Sequence, residues 1–534
     1  MKKNILFAFC AIATAALTLA SCDKFLDVMP DNRATINTEE KVQKLLTSAY
    51  PENDYMLIAE LSSDNVDEYH NTNVASRFID QVYHWEDVTE SNNESPERVW
   101  ESCYSAISAA NHALQALDNI AEENGGEWTT SMLEEKGEAL MCRAYGHFIL
   151  VNIFCMNYNT ATSGTDLGVT YMEAPETQLD PDYDRGNVAG VYAKIDRDIQ
   201  EGLKLIGDSY YTVPKYHFNP KAAYAFAARF YLYYEKWEEC IKYADLCLGA
   251  APETMLRNYS EVAGMTSSFA AYSNEYINAN LNCNLLLLTA YSTMGTTFGP
   301  YTTNKKYAHG NYLAVNETAK TTNVWGTNND YYLPIKSYSG TNREYNIFWR
   351  LPYLFEYTDA VAGIGYNRTV YPAFSADECL LNRAEAYILL KDYDKALADM
   401  NLWVDNQMKN KKTLTAEMIT NFYNAIDYSY SDIEGKESTL KKHLNPGFAI
   451  DAEGSTQECM LHCILGMRRV ECMPMGIRWF DVKRYGIEII RRTMTASGIP
   501  EERTDVLSKD DPRRAMQLST KVLEAGVKPN PRNK

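Results

Sequence analysis

Apolar residues recur at spacings of three and four in Trp100-Glu-Ser-Cys103-Tyr104-Ser-Ala-Ile107-Ser-Ala-Ala110-Asn-His-Ala-Leu114-Gln-Ala-Leu117, which predicts an amphipathic helix. Gly125-Gly126 closes that unit. The same period predicts a second helix from about Met132 to Phe154 and a third from about Val188 to Ile206, ended by Gly207. From Glu253 to Phe374 the period fades, and Asn, Thr, Gly and Tyr take over. A connection of this length in a compact protein is either functional or has structure of its own. The stretch from Trp325 to Tyr371 holds twelve aromatics, among them Tyr331, Tyr332, Tyr338, Tyr345 and Trp349, so it is not low-complexity filler.

On either side of this excursion the helical pattern tightens. Counting from Lys221, Ala228 is eighth, Tyr231 eleventh, Cys240 twentieth, Cys247 twenty-seventh and Pro252 thirty-second. Small residues at those places let two antiparallel helices approach closely, as in the tetratricopeptide pattern. A second copy carries Ala384, Tyr387 and Ala396, with its turn at Lys391-Asp392-Tyr393. Any helical hairpin could show the small residues; the Tyr and the final Pro favour the tetratricopeptide reading. The expected fold is mostly α, a tetratricopeptide-like scaffold of helical pairs near 221–252 and 377–408, with a long, irregular, loop-rich excursion at 253–374.

Composition narrows the class. With 534 residues, 46% hydrophobic and 23% charged, the chain can build a globular core. Its formal net charge of -20 excludes nucleic acid as the expected partner, since a phosphate backbone would repel it. Lys2 and Lys3 precede an uncharged apolar run, Ile5 to Ala20, with the layout of a secretory signal. That run ends in Leu19-Ala20-Ser21-Cys22, which resembles the lipobox of bacterial lipoproteins, so Cys22 is the expected lipidation site. Residues 1–21 then form the signal and 22–534 the mature body. No later segment has the roughly 18 apolar residues of a membrane span, so the expected attachment is through lipid alone.

Of twelve cysteines, Cys10 leaves with the signal and Cys22 is acylated; most of the other ten sit in apolar helical stretches, where cysteine acts as a small hydrophobe. Cys459-Met-Leu-His462-Cys463 is the nearest approach to a metal cluster, but it has no second cluster to complete it, so no metal is expected. Asp180-Pro-Asp182-Tyr-Asp184-Arg-Gly186 begins like a calcium loop, yet its glycine is one place late and Val191 stands where the closing Glu should be. An acidic turn ahead of the helix near Asn187 explains the same residues, and no cofactor is expected.

Motifs for catalysis are missing: there is no H-E-x-x-H, G-x-S-x-G, P-loop or dinucleotide glycine fingerprint. Carboxylate pairs for glycoside hydrolysis converge in space and leave no spacing to read. The aromatics are the better lead, because a sugar ring buries a face of C–H groups on a flat side chain while its hydroxyls need polar partners. Asp64, Asn65 and Tyr69, then Tyr83 and Trp85, then Trp325, Asn328, Tyr331 and Tyr332 interleave both kinds in irregular surroundings. These are the candidate ligand contacts; the alternative is that the rings pack as a satellite core beneath the excursion.

The chain resembles the SusD/RagB family of outer-membrane nutrient-uptake lipoproteins over nearly its whole mature length. The resemblance is carried by Cys22-Asp-Lys-Phe-Leu-Asp27-Val-Met-Pro30, by Glu60-Leu-Ser-Ser-Asp64-Asn65, and by Trp100, Tyr104, Ile107 and Asn111 of the first helix. It continues through Gly137-Glu138-Ala139-Leu-Met-Cys-Arg143-Ala144-Tyr145 and the helix holding Tyr192, Ile195 and Asp198. Gly476-Ile-Arg478-Trp479-Phe480-Asp481-Val-Lys-Arg484, Asp511-Pro512-Arg513 and Asn530-Pro531-Arg532 complete it. Ser375 stands where the family usually has Arg, and Met475 where it has an acidic residue. The resemblance implies a non-enzymatic, cell-surface protein of the outer membrane that captures oligosaccharide and delivers it to a SusC-like TonB-dependent transporter. A peptide- or other nutrient-capturing relative, or a surface glycoside hydrolase, is the alternative.

Overall fold

A computed structural model describes residues 36–70, 76–177, 183–300, 305–340, 343–429 and 438–532, without the side chains of 338–344. The signal, Cys22, Asp180 and Asp182 lie outside the described residues. Helices dominate. The first predicted helix spans Pro96–Glu123, the second Thr130–Phe154 and the third Val188–Gly202. A β-carbon on Gly137 would lie 2.7 Å from the backbone nitrogen of Ile206, so only glycine lets the chain leaving the third helix cross the second this closely. Arg143 then ties all three together: its guanidinium donates to Asp198 at 2.6 and 2.9 Å and to the side chain of Asn111 at 3.1 Å.

Both expected pairs are present, as Pro220–Tyr233 with Trp237–Leu248 and as Ala376–Leu389 with Tyr393–Gln407. Ala228, Cys240 and Cys247 of the first and Ala384 and Ala396 of the second are fully buried between their helices. Each turn sets one residue in left-handed backbone, Glu235 at φ 60° and Lys391 at φ 64°, so the two hairpins repeat even this costly detail. The pairs stack on each other although the excursion separates them in sequence. Arg383 joins them, bonding Asp399 of its own pair at 2.7 Å and Asp245 of the other at 2.7 Å. Ser375 accepts from the backbone of Glu378 and caps the helix that starts the second pair.

The excursion is more regular than expected. Nine strands are described: β1 (Asp67–Tyr69), β2 (Asn284–Tyr291), β3 (Tyr307–Ala308), β4 (Lys336–Gly340), β5 (Arg343–Ile347), β6 (Leu354–Asp359), β7 (Ile364–Ser375), β8 (Ile489–Met494) and β9 (Pro500–Leu507). Six of them, β2 to β7, lie in the excursion. β2 and β7 pair antiparallel from Asn284 opposite Ser375 to Tyr291 opposite Arg368, which closes the base of the excursion where the second pair begins. β6 adds to the far side of β7, giving the order β2-β7-β6, and β4 pairs with β5. A further sheet, β3-β1-β8-β9, stitches the excursion to both ends of the chain. The base of the first sheet packs on the first pair, where Phe374 meets Phe226 at 5.5 Å.

Candidate functional site

The structure divides the expected ligand contacts into two places, and most are buried. Asp64, Asn65, Tyr69, Tyr83 and Trp85 gather around arginines from the far end of the chain. Arg478 clamps the Asp64 carboxylate with two bonds of 2.8 Å, and Arg469 donates to the Asn65 side chain at 2.7 Å and to Glu317 at 3.1 Å. Burial opposes ionisation of Asp64, but Arg469 and Arg478 outweigh it and hold the carboxyl well below the usual carboxylate range. Arg491 lies 3.9 Å from the Tyr83 ring and 4.2 Å from that of Trp85, so the protein's own guanidinium occupies the faces a sugar would need. The Trp85 indole donates to the carbonyl of Ser62 at 3.0 Å, and Tyr69 is buried edge-on to Tyr345.

Trp325, Asn328, Tyr331 and Tyr332 form the second group, against the second helical pair. Trp325 donates to the Tyr331 hydroxyl at 2.9 Å and meets Trp403 edge-on at 5.5 Å. The Asn328 side chain accepts from the backbone of Ile335, and Tyr332 donates its own N–H to Gln407. Asn328 and Tyr332 stay half-buried; Trp85, Trp325 and Tyr331 present no open face in this structure. As candidate ligand contacts in irregular, polar surroundings, these residues would need open faces. The surroundings are polar because buried arginines and carbonyls must be satisfied there.

The exposed rings lie elsewhere in the excursion. Among the described residues, six of the thirteen large apolar side chains exposed to solvent fall between Tyr353 and Tyr366: Tyr353, Leu354, Tyr357, Val361, Ile364 and Tyr366. Such a concentration on one hairpin makes it the candidate binding element, where scattered single residues would not. Alternation along β6 and β7 could have revealed it, in Leu354-Phe-Glu-Tyr-Thr-Asp359 and Ile364-Gly-Tyr-Asn-Arg368 around the turn at Ala360 to Gly363.

Register builds one face of this sheet. Arg368 stands opposite both Tyr291 and Leu354, and Tyr366 opposite Glu356, so all five share a side. The Arg368 guanidinium covers Tyr291 at 3.7 Å and bonds Glu356 at 2.5 Å, while Tyr366 meets Tyr291 edge-on at 5.4 Å. Beside them opens a groove of about 570 Å³, floored by Leu287, Thr289, Leu354, Arg368 and Val370 and walled by Thr47, Glu52, Tyr216 and His217. That volume suits a small ligand.

A second cavity of about 620 Å³ lies along the helix Pro96–Glu123, between Trp100, Tyr104 and Val522. Two of its polar groups already serve the fold: Tyr104 donates to the carbonyl of Thr170, and Asn111 to those of Met172 and Ala174. Among the described residues no cluster of His, Cys, Asp and Glu is placed to hold a metal. His462 pairs instead with Glu458 at 2.5 Å, and Cys459 and Cys463 are buried. Asp184 turns back to accept from Gly186, as an acidic turn does. No described helix is long and apolar enough to cross a membrane.

Comparison with known proteins follows the same architecture. A family model described as starch-binding and associating with the outer membrane matches residues 24–232, and the SusD family model matches residues 253–532. A SusD superfamily protein of Bacteroides thetaiotaomicron superposes with a TM-score of 0.62 at 17% identity, over 93% of this chain and 100% of that one. A putative sugar binding protein of Bacteroides vulgatus gives 0.64 at 19%, over 93% and 99%. One from Bacteroides fragilis, of the SusD superfamily, gives 0.62 at 16%, over 92% and 99%. These identities establish a shared fold. No curated protein matches the chain.

Proposed function

Since the chain belongs to the SusD family, we propose that it is a cell-surface lipoprotein that captures oligosaccharide and passes it, unaltered, to a SusC-like TonB-dependent transporter. The observation that supports capture is the hairpin surface. The Tyr366 ring is exposed on the same face as the Glu356–Arg368 pair and Thr289, which line the groove as hydrogen-bonding partners for hydroxyls. That ring can desolvate the apolar face of a sugar while the polar groups orient it. Capture of this kind needs no reacting group.

The test is binding of the purified mature protein to a glycan panel, with product analysis after long incubation. Tyr366→Ala should weaken the best glycan about tenfold or more, by analogy with the roughly 1–3 kcal/mol of stacking one ring on an aromatic, and leave the glycan intact. Binding indifferent to Tyr366, or hydrolysis of the glycan, would refute the reading. One observation favours a peptide-capturing alternative: β6 is the edge of its sheet and offers a row of backbone groups to an extended chain. Extended peptides on the same panel separate the two.

A further inference from the structure

His217 is the one imidazole on the wall of the groove, and its orientation is fixed from behind. Its Nδ1 lies 2.8 Å from the carboxylate of Glu138, which is fully buried in the helix Thr130–Phe154. Direction can be assigned around that carboxylate. The Tyr50 hydroxyl accepts the backbone N–H of Phe218 at 2.8 Å, so its own proton goes to Glu138, at 2.5 Å. Tyr210 donates to the other carboxylate oxygen, and Tyr211 donates to the carbonyl of Phe218. An ionised carboxylate only accepts, so Glu138 takes the protons of two tyrosines and His217 Nδ1, facing it at 2.8 Å, is the third donor. The neutral imidazole must carry its proton on Nδ1, which leaves a lone pair on Nε2.

Tyr211 stacks on one face of the imidazole at 4.3 Å and 11°, and Tyr50 meets it edge-on at 6.3 Å and 80°. The ring cannot turn without losing these contacts and the bond to Glu138. Among the described residues none is bonded to Nε2, and the side chain keeps 20% of its surface open. Two of the three other charged groups on the groove share that preference. Glu52 and Glu356 are acceptors, and the guanidinium of Arg368, the one cation, is paired through its Nε with Glu356 and laid on the Tyr291 ring.

Resting on the reading that this groove takes glycan, we propose that it selects neutral oligosaccharides, whose hydroxyls donate to His217 Nε2, and rejects carboxylated or sulfated ones. An acidic sugar would bring a charge against Glu52 and Glu356 and find a lone pair where it needs a donor. A neutral sugar supplies the missing proton from any hydroxyl at that edge. Glu138 acts as a positioning residue: it never meets the ligand but decides which nitrogen carries the proton.

The experiment has two parts. Titrate the mature protein with neutral hexasaccharides of glucose, mannose and xylose and with oligogalacturonate and chondroitin sulfate hexasaccharides, on wild type, His217→Phe, His217→Gln and Tyr366→Ala. At a pH where the ring is neutral, record the two ring-nitrogen resonances of His217 by NMR. A neutral glycan should bind at least about tenfold more tightly than either acidic one, the size of one hydrogen bond to a fixed partner. His217→Phe should lose about that factor, and His217→Gln, which can place an amide oxygen near the position of Nε2, should recover most of it.

The nitrogen resonances should show the proton on Nδ1. A proton on Nε2, or an acidic fragment bound as tightly as the neutral ones, would overturn the proposal whether or not the variants fold well. Binding that depends on Tyr366 and ignores His217 would overturn it and leave the glycan reading standing. Binding that ignores Tyr366, or no binding at all, would remove the glycan reading itself and this inference with it.

Discussion

Trp85 and Tyr366 show how differently one side-chain class is used here. Trp85 is held at φ 54°, donates to Ser62 and stacks under Arg491, with Arg513 a further 5.5 Å neighbour. Its removal should leave a cavity and strip a buried guanidinium of its platform. Trp85→Ala is expected to cost about 3–5 kcal/mol of stability and to change glycan affinity only through unfolding. Tyr366→Ala should show the reverse, weaker binding at an unchanged melting temperature, because an exposed ring adds little to the core. Thermal melts beside titrations of both variants decide it; a Trp85→Ala protein that melts like wild type but no longer binds would reverse the assignment. Sequence could not separate the two residues, since the arginines that claim Trp85 lie some 400 positions further on and no local pattern announces them.

At the scale of elements, the helical pairs were legible because their small residues recur at fixed places, and Ala228, Cys240, Ala384 and Ala396 are indeed buried. The sheet was not. β2 pairs with β7 across some eighty residues, and its run Leu285-Leu-Leu-Leu288 reads equally well as buried helix. Closing that distance brings two acids together at the end of β2. Asp54 and Glu94 are both buried; Asp54 accepts from the backbone of Met56, and Glu94 from Ser292 and Thr293. Burial pushes Asp54 up to about 7, and burial with the neighbouring Asp54 pushes Glu94 up to about 8. The sign follows from proton counts: between about pH 4, where the unfolded groups ionise, and these raised values, the folded state holds more protons. The contribution of this pair to stability should therefore fall as pH rises from about 4 through 8, by up to about 1.4 kcal/mol per pH unit for each group. Asp54→Asn and Glu94→Gln should flatten that slope in chemical denaturation series; a slope of unchanged size in the double variant would discount the pair.

For the whole molecule, no described helix is long and apolar enough to cross a membrane. The delivery proposed above requires a partner that encloses a path, and in the outer membrane that is a closed β-barrel. The tether sets how the two meet. A diacylated Cys22, following the run Ile5 to Ala20, would hold the body within reach of the barrel. Two measurements test this arrangement together. In a native host, a fatty-acid probe should label the wild-type chain and not Cys22→Ala. Mild-detergent purification of the labelled protein should bring down a much larger membrane protein, whose recovery falls with Cys22→Ala because the encounter is no longer confined to the membrane plane. Equal labelling of the two chains would reject the tether. A labelled chain that is repeatedly recovered alone, with cross-linking also negative, would keep the tether and reject the transporter partner.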